Sequence, residues 1–386
     1  MNSKERVKRA FHFQKPDRVP MSCINLKTDF FPVTAYPPRS WQPKGKYPPH
    51  VQGGVNSIAK WTFRTFVYRW KRKYRKKAEF PKKYWKQPHL SVDEWGIIWK
   101  ASGTKSNDIT RGHPHFGPLQ DSWDFLEEYE IPDVSNKSRF RFIRTPVWKL
   151  LGRKRYTLGE LAPNGFFNLC SQLRGFNNFL IDLARKPKQV NKLTEKIFPY
   201  YITLIKKYKQ YYPSLDSVIV ADDLGTQKSP FISPRLFKKY FKDPYKRIIN
   251  LAHDLELDFI LHSCGQIFEL MPDIIDAGVD VFEFDSPHMV GVKNLRNFAK
   301  DQKVAFWLSS NIQSTYTLGT PEDVKEEIKT YIKEVGNNKG GLAIYEYPAN
   351  TALGTPRENI IAQREAVEKW GKYNETGIIE WLAKSS

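Results

Sequence analysis

The second half of the chain alternates short apolar runs with longer segments in which apolar residues recur every three or four positions. SVIVADDLG (217–225), DFILHSCG (258–265), VDVFEFDSP (279–287), VAFWLSSN (304–311) and GGLAIYEYP (340–348) read as strands. The segments 234–255, 265–278, 291–302 and 320–336 read as the helices between them, and 355–373 as the helix that follows the last strand. Two helices begin with the same signal, GTPED at Gly319 and GTPRE at Gly354, where Thr320 and Thr355 would cap free amides and proline fits the first helical position.

Continuously apolar strands joined by helices imply a parallel sheet covered on both faces. Two architectures remain, a closed (β/α)8 TIM barrel and an open doubly wound sheet. The barrel is favoured by the polar residues that gather at the C-terminal ends of the strands: Asp222 and Asp223, His262 and Cys264, Glu283 and Asp285, Ser309 to Asn311, and Glu346. A barrel brings such ends to one mouth. The first 150 residues are less regular. Pro-rich text is followed by Trp61, Phe63, Phe66, Val67, Trp70 and Tyr74, a spacing that puts aromatics on one helical face and basic residues opposite. We read a single barrel domain over 1–386, with 26–150 as an N-terminal elaboration that includes a basic aromatic helix near 60–77.

Composition narrows the setting. Of 386 residues only three are cysteine, Cys23, Cys170 and Cys264, an odd and scattered set that fits free thiols in a reducing compartment. The charged N-terminus and the lack of any apolar run near the length of a spanning helix predict no transmembrane segment and a cytoplasmic location. The formal charge is +21, and about half of it lies between Lys60 and Lys86, where twelve basic residues face the single acid Glu79. This segment could bind an anionic partner, but an amphipathic helix packed on the barrel with its charges in water accounts for it more simply. Nucleic acid is not expected as a partner.

The candidate chemistry lies at the strand ends. His262 and Cys264 are two apart, so in a strand both point the same way and can share one ion. Zinc accepts imidazole nitrogen and thiolate sulfur, and a catalytic zinc needs three protein ligands with one position open. His-x-Cys alone equally describes a hydrogen-bonded core histidine beside a small thiol. Its place at a strand end, with Gly265 to turn the chain and acids on neighbouring strands, points to a metal, with Glu283 as first candidate for the third ligand and Glu346 as the second. Asp223 is expected to accept a substrate proton or hold a cationic or hydroxyl group, and Gln227 and Asn311 to contact substrate.

The ordered set KPDRVP (15–20), DEWG (93–96), LRGF (173–176), ADDLGTQ (221–227), LHSCG (261–265), AGVDVFEFD (277–285) and GTPEDV (319–324) is similar to the uroporphyrinogen decarboxylase superfamily. That resemblance implies a βα barrel with its site at the C-terminal mouth, and either of two chemistries. One is cofactor-free decarboxylation of tetrapyrrole acetate side chains; the other is zinc-dependent methyl transfer between a small methyl donor or thiol acceptor and a corrinoid held by a partner protein. The methyltransferase branch carries His-x-Cys and then a distant cysteine. His262 and Cys264 match the first part, but no cysteine follows Cys264. The arginine-rich N-terminal segment of the decarboxylases has no counterpart either, while the resemblance implies that Asp93 stands where that branch keeps its essential aspartate, in contact with substrate. The expectation is therefore a zinc methyltransferase with an altered third ligand. Decarboxylation and non-enzymatic binding through 60–86 are the alternatives.

Overall fold

The structure is a computed structural model that describes residues 1–23, 27–38, 90–100, 113–336, 338–348 and 350–375. The expected basic aromatic helix near 60–77, and the whole of the segment 60–86, lie outside these residues.

Eight parallel strands form a nearly closed (β/α)8 barrel. In chain order they are β1 (Met21–Ser22), β2 (Phe30–Val33), β6 (Tyr156–Glu160), β7 (Ser217–Ala221), β8 (Asp258–His262), β9 (Val281–Phe284), β10 (Ala305–Leu308) and β11 (Leu342–Tyr345). Their order around the sheet is β1-β11-β10-β9-β8-β7-β6-β2. The two ends meet at Asp29, whose amide donates to the Met21 carbonyl at 2.9 Å and whose carboxylate accepts the Met21 amide, also at 2.9 Å. A separate antiparallel sheet joins β3 (Leu90–Val92), β4 (Ile98–Lys100) and β5 (His113–Phe116). The 26–150 segment therefore contributes this small sheet and also β2, one of the barrel's own strands. In the sequence FFPV reads only as the start of the proline-rich, extended or looped text, because it is short and continuous with it.

Alternate strand residues fill the barrel and the space under the helices. Ile219, Ile260, Val281, Ala305, Trp307 and Ala343 face the axis and pack with Phe30 and Tyr156, whereas Val218, Phe259, Phe282 and Phe306 belong to the layer beneath the helices. Helix Ser3–Phe11 closes the N-terminal end, with Val7 and Phe11 in the axial cluster and Phe11 packed edge-on to Tyr156 at 5.6 Å. Charges tie it in place. Lys4 and Lys8 each reach Asp216 at 3.0 Å, Arg6 reaches Asp29 at 2.8 Å, and His12 Nε2 lies 2.8 Å from Asp258 Oδ1.

Helix Pro321–Glu334 has the expected start, a reciprocal capping box between Thr320 and Asp323. The second signal behaves differently: Pro356 itself is the N-cap of helix Arg357–Trp370, so Thr355 sits too early to cap and its hydroxyl is buried without a hydrogen-bond partner among the described residues. The predicted helix 234–255 contains a π turn at Lys238–Lys242 just ahead of Pro244, where the missing proline N–H would interrupt a regular ladder. Among the described residues, no helix is long and apolar enough to cross a membrane.

Candidate metal centre

Strand β8 delivers His262 and, just past its end, Cys264 to the same side. Their Nε2 and Sγ atoms are 3.5 Å apart. On the next strand β7 the axial positions continue from Ile219 through Ala221 to Asp223, and Asp223 Oδ1 lies 3.6 Å from His262 Nε2. The same oxygen accepts the Cys264 amide at 2.9 Å, which fixes the acid against the loop it faces. The ligand atoms of Asp223, His262 and Cys264 all lie within 4.8 Å of one another. Zinc bonds of about 2.0–2.3 Å at tetrahedral angles put neighbouring ligands about 3.3–3.6 Å apart. The trio fits such an ion with small adjustment.

The neighbouring strands set the imidazole. Glu283, in register with His262 on β9, places Oε2 3.2 Å from Nδ1 and leaves Nε2 to face Cys264 and Asp223. A carboxylate on the far nitrogen is how metal-binding histidines are usually oriented. Asp222, the residue before Asp223, points the other way and caps helix Phe166–Arg174 through the amides of Phe167 and Asn168, at 3.1 and 2.7 Å. Burial pushes its pKa up to about 7 despite these bonds and one from Tyr245.

The turn after Cys264 depends on glycine. Gly265 has φ +85°, and a Cβ there would meet the Gly225 carbonyl oxygen at 2.3 Å. The loops after β7 and β8 therefore touch backbone to backbone, joined by the Gln266 amide donating to Thr226 O at 2.7 Å.

The electrostatics of the cluster call for positive charge. Desolvation opposes the His262 imidazolium, yet Asp285, Cys264 and Asp223 raise its pKa well above the ordinary value. Burial raises the Cys264 thiol, and the charges of Asp223 and Asp285 raise it further. Burial also raises Glu283, outweighing its contact with His262. Asp223 is the exception: desolvation works against its charge, but the hydrogen bond and charge of His262 hold it below the usual carboxylate range. A divalent cation among these donors would supply the charge that the imidazolium proton supplies here and would permit the thiolate that zinc requires.

Comparison with known proteins places this barrel. Residues 97–370 match the family model described as uroporphyrinogen decarboxylase (URO-D). The chain belongs to the uroporphyrinogen decarboxylase family. A methylated-thiol–coenzyme M methyltransferase of Methanosarcina mazei is 22% identical over 203 residues, which cover 53% of this chain and 51% of that protein. The chain thus spans about half the length of this curated relative. A solved methyltransferase from Methanosarcina mazei superposes with a TM-score of 0.61 at 15% identity, covering 96% of this chain and 99% of that one, a likeness of fold.

Within this URO-D barrel the other predicted site residues are placed differently. Glu346 does not approach His262. It follows β11 on the outward side, and its carboxylate is bound by Arg364, with Nη2 2.8 Å from Oε2. Glu283 lies on Nδ1, so the third ligand-capable group beside Nε2 and Sγ is Asp223, which sequence reasoning had cast as a proton acceptor. Asp93 is buried in the turn between β3 and β4, accepting the amides of Trp95 and Ile97 at 2.9 and 3.0 Å and Trp99 Nε1 at 2.9 Å. Asn311 braces its own loop, accepting the Gln313 amide at 3.0 Å and donating to Ser314 at 2.6 Å. Gln227 is exposed on the loop beyond Asp223. Asp285 and Tyr345 were given no role from sequence. Asp285 lies two residues beyond Glu283 and Tyr345 two beyond Ala343, so strand alternation carries both inward, and the Tyr345 hydroxyl donates to Asp285 Oδ1.

Proposed function

We propose that this chain is a zinc-dependent methyltransferase of the URO-D family, moving a methyl group between a small methyl donor or thiol acceptor and the cobalt of a corrinoid carried by a partner protein. The observation that carries the reading is the convergence of Asp223, His262 and Cys264 ligand atoms within 4.8 Å, with Glu283 fixing the far side of the imidazole. His262 would present Nε2, Cys264 its thiolate and Asp223 a carboxylate oxygen. When bound, zinc would supply Lewis acidity, lowering the pKa of a thiol or polarising an ether oxygen. The donor set differs from the His-x-Cys plus distant Cys of the methyltransferase branch by one carboxylate in place of one thiolate, so the chain keeps a three-ligand site without a second cysteine. The similarity to a methylated-thiol–coenzyme M methyltransferase supports the reaction class.

Decarboxylation of a porphyrinogen is less well supported by the same geometry. Asp223, Glu283 and Asp285 surround His262, within 3.6, 3.2 and 3.9 Å, and would repel the carboxylates of such a substrate. Anaerobic incubation with uroporphyrinogen is expected to yield no coproporphyrinogen.

The decisive test is elemental analysis of protein purified with zinc in the medium. About one zinc per chain is expected, lost in His262→Ala, Cys264→Ser and Asp223→Asn. Glu283→Gln should keep zinc with an affinity roughly ten- to a hundredfold weaker, read by chelator competition. Wild-type protein that takes up no zinc after reconstitution would overturn the proposal.

A further inference from the structure

Asp223 stands two residues beyond the end of β7, where the strand ladder no longer holds it. Main-chain groups there still alternate in direction. The Asp222 amide donates to His262 O at 2.9 Å and the Leu224 amide to Ser263 Oγ at 3.0 Å, both toward β8. Ile219, Ala221 and Asp223 face the opposite side, toward β6. There the Leu161 amide donates to Ile219 O at 2.8 Å and the Gly165 amide to Ala221 O at 2.7 Å, after which the chain turns into helix Phe166–Arg174. For Asp223 the partner is a side chain of that helix. Asn168 Oδ1 accepts the Asp223 amide at 2.7 Å, and Asn168 Nδ2 donates to the Asp223 carbonyl at 3.1 Å. A primary amide offers the same acceptor and donor as a peptide group, so Asn168 supplies the rung that β6 is too short to provide.

The clamp is reciprocal. The Asp222 carboxylate takes the Phe167 and Asn168 amides, so the first turn of the helix and the end of β7 hold each other. They meet closely: a Cβ on Gly165 would lie 2.4 Å from that of Asp222. Asp223 is thereby fixed at both ends, its main chain by Asn168 and its Oδ1 by the Cys264 amide at 2.9 Å. We infer that Asn168 is a positioning residue, locking the Asp223 main chain so that the carboxylate is presented to the centre shared with His262 and Cys264. If the amide is removed, both polar groups of Asp223 lose their partners, and its peptides turn to find others. That turn carries the carboxylate away from the point where the other two ligand atoms converge. The inference rests on the metal reading above, in which Asp223 is a ligand, and adds a residue that acts through it.

Chelator competition on the zinc-loaded protein, with the visible spectrum of the cobalt(II)-loaded form beside it, tests the clamp. Asn168→Ala should bind zinc roughly ten- to a hundredfold more weakly than wild type. Its cobalt ligand-field bands should weaken as water replaces the carboxylate, while the thiolate-to-cobalt band from Cys264 persists. Asn168→Asp should behave alike, because it keeps an acceptor for the Asp223 amide but sets an oxygen against the Asp223 carbonyl. Gln172→Ala is the control. It removes a 2.8 Å hydrogen bond from Asn164 to the same helix and should change zinc affinity by no more than roughly twofold. A folded Asn168 variant with wild-type zinc affinity and an unchanged cobalt spectrum overturns this inference alone, as does a Gln172→Ala that weakens zinc as much as Asn168→Ala. Loss of the thiolate band, or failure of both Asn168 variants to fold, also overturns it, since Asn168 would then support the whole site or the fold rather than Asp223. A wild type without zinc overturns the metal reading and this inference with it.

Discussion

Glu346 turns its carboxylate away from the barrel axis onto Arg364, and none of that side chain is exposed. Removing its charge should leave Arg364 without its buried partner, so Glu346→Gln is expected to cost on the order of 3 kcal/mol in denaturant unfolding while zinc content stays at the wild-type level. Loss of zinc in that variant would restore Glu346 as a ligand. The reason sequence could keep Glu346 as the second candidate is physical. In LAIYEY every residue before Glu346 is apolar, because a parallel strand is covered on both faces, and an unbroken apolar run does not disclose which residues point inward. His262 and Cys264 were readable without that knowledge, since two residues two apart share a side whatever the phase. Asp222 and Asp223 were readable only as a pair of opposites. Asp93 could be tied to substrate only through the resemblance, because an acid that closes a turn and an acid that meets a substrate look alike until the turn's amides are seen.

At the scale of elements, the helix Ser3–Phe11 and its charged fringe seal the end of the barrel remote from the metal centre. His12 belongs to that seal. The hydrogen bond that His12 donates to Asp258, with the charge of Asp258 behind it, raises the His12 pKa, against the desolvation that opposes it. A group whose folded pKa is raised contributes stability that is fully present below its unfolded value and is lost as pH rises through the folded one. The melting temperature should therefore fall as pH rises above the ordinary histidine value of about 6.5, and His12→Asn should flatten that fall. An identical slope in the variant would remove His12 from the seal's pH response. The alternation of elements was legible from β7 onward, where periods of two and three to four residues separate cleanly. It was not legible at β2, where four residues sufficed because β6 pairs with all of them and Asp29 ties that end of the sheet to β1.

Across the whole molecule, residues from β7, β8 and β9 meet because the three strands are hydrogen-bonded neighbours, whereas Tyr345 on β11, separated from β9 by β10, reaches Asp285 because the sheet curls into a barrel. The barrel was inferable from strand ends that would otherwise be scattered; the ligand set was not, because it depends on which loops press together. Gly225 and Gly265 decide that contact. Gly265→Ala combines a positive φ with a collision against backbone, and a loss of stability on the order of 3 kcal/mol is expected in chemical unfolding, with weaker retention of zinc. A variant as stable as wild type, with its metal intact, would show that the two loops can part. If they cannot, the contact limits how this barrel can be remodelled. Lengthening either loop would pry Asp223 from Cys264, so both would have to be rebuilt together. New recognition surfaces can be grafted onto the other βα connections, while the pair after β7 and β8 stays the fixed hub around which the rest of the mouth is free to diversify.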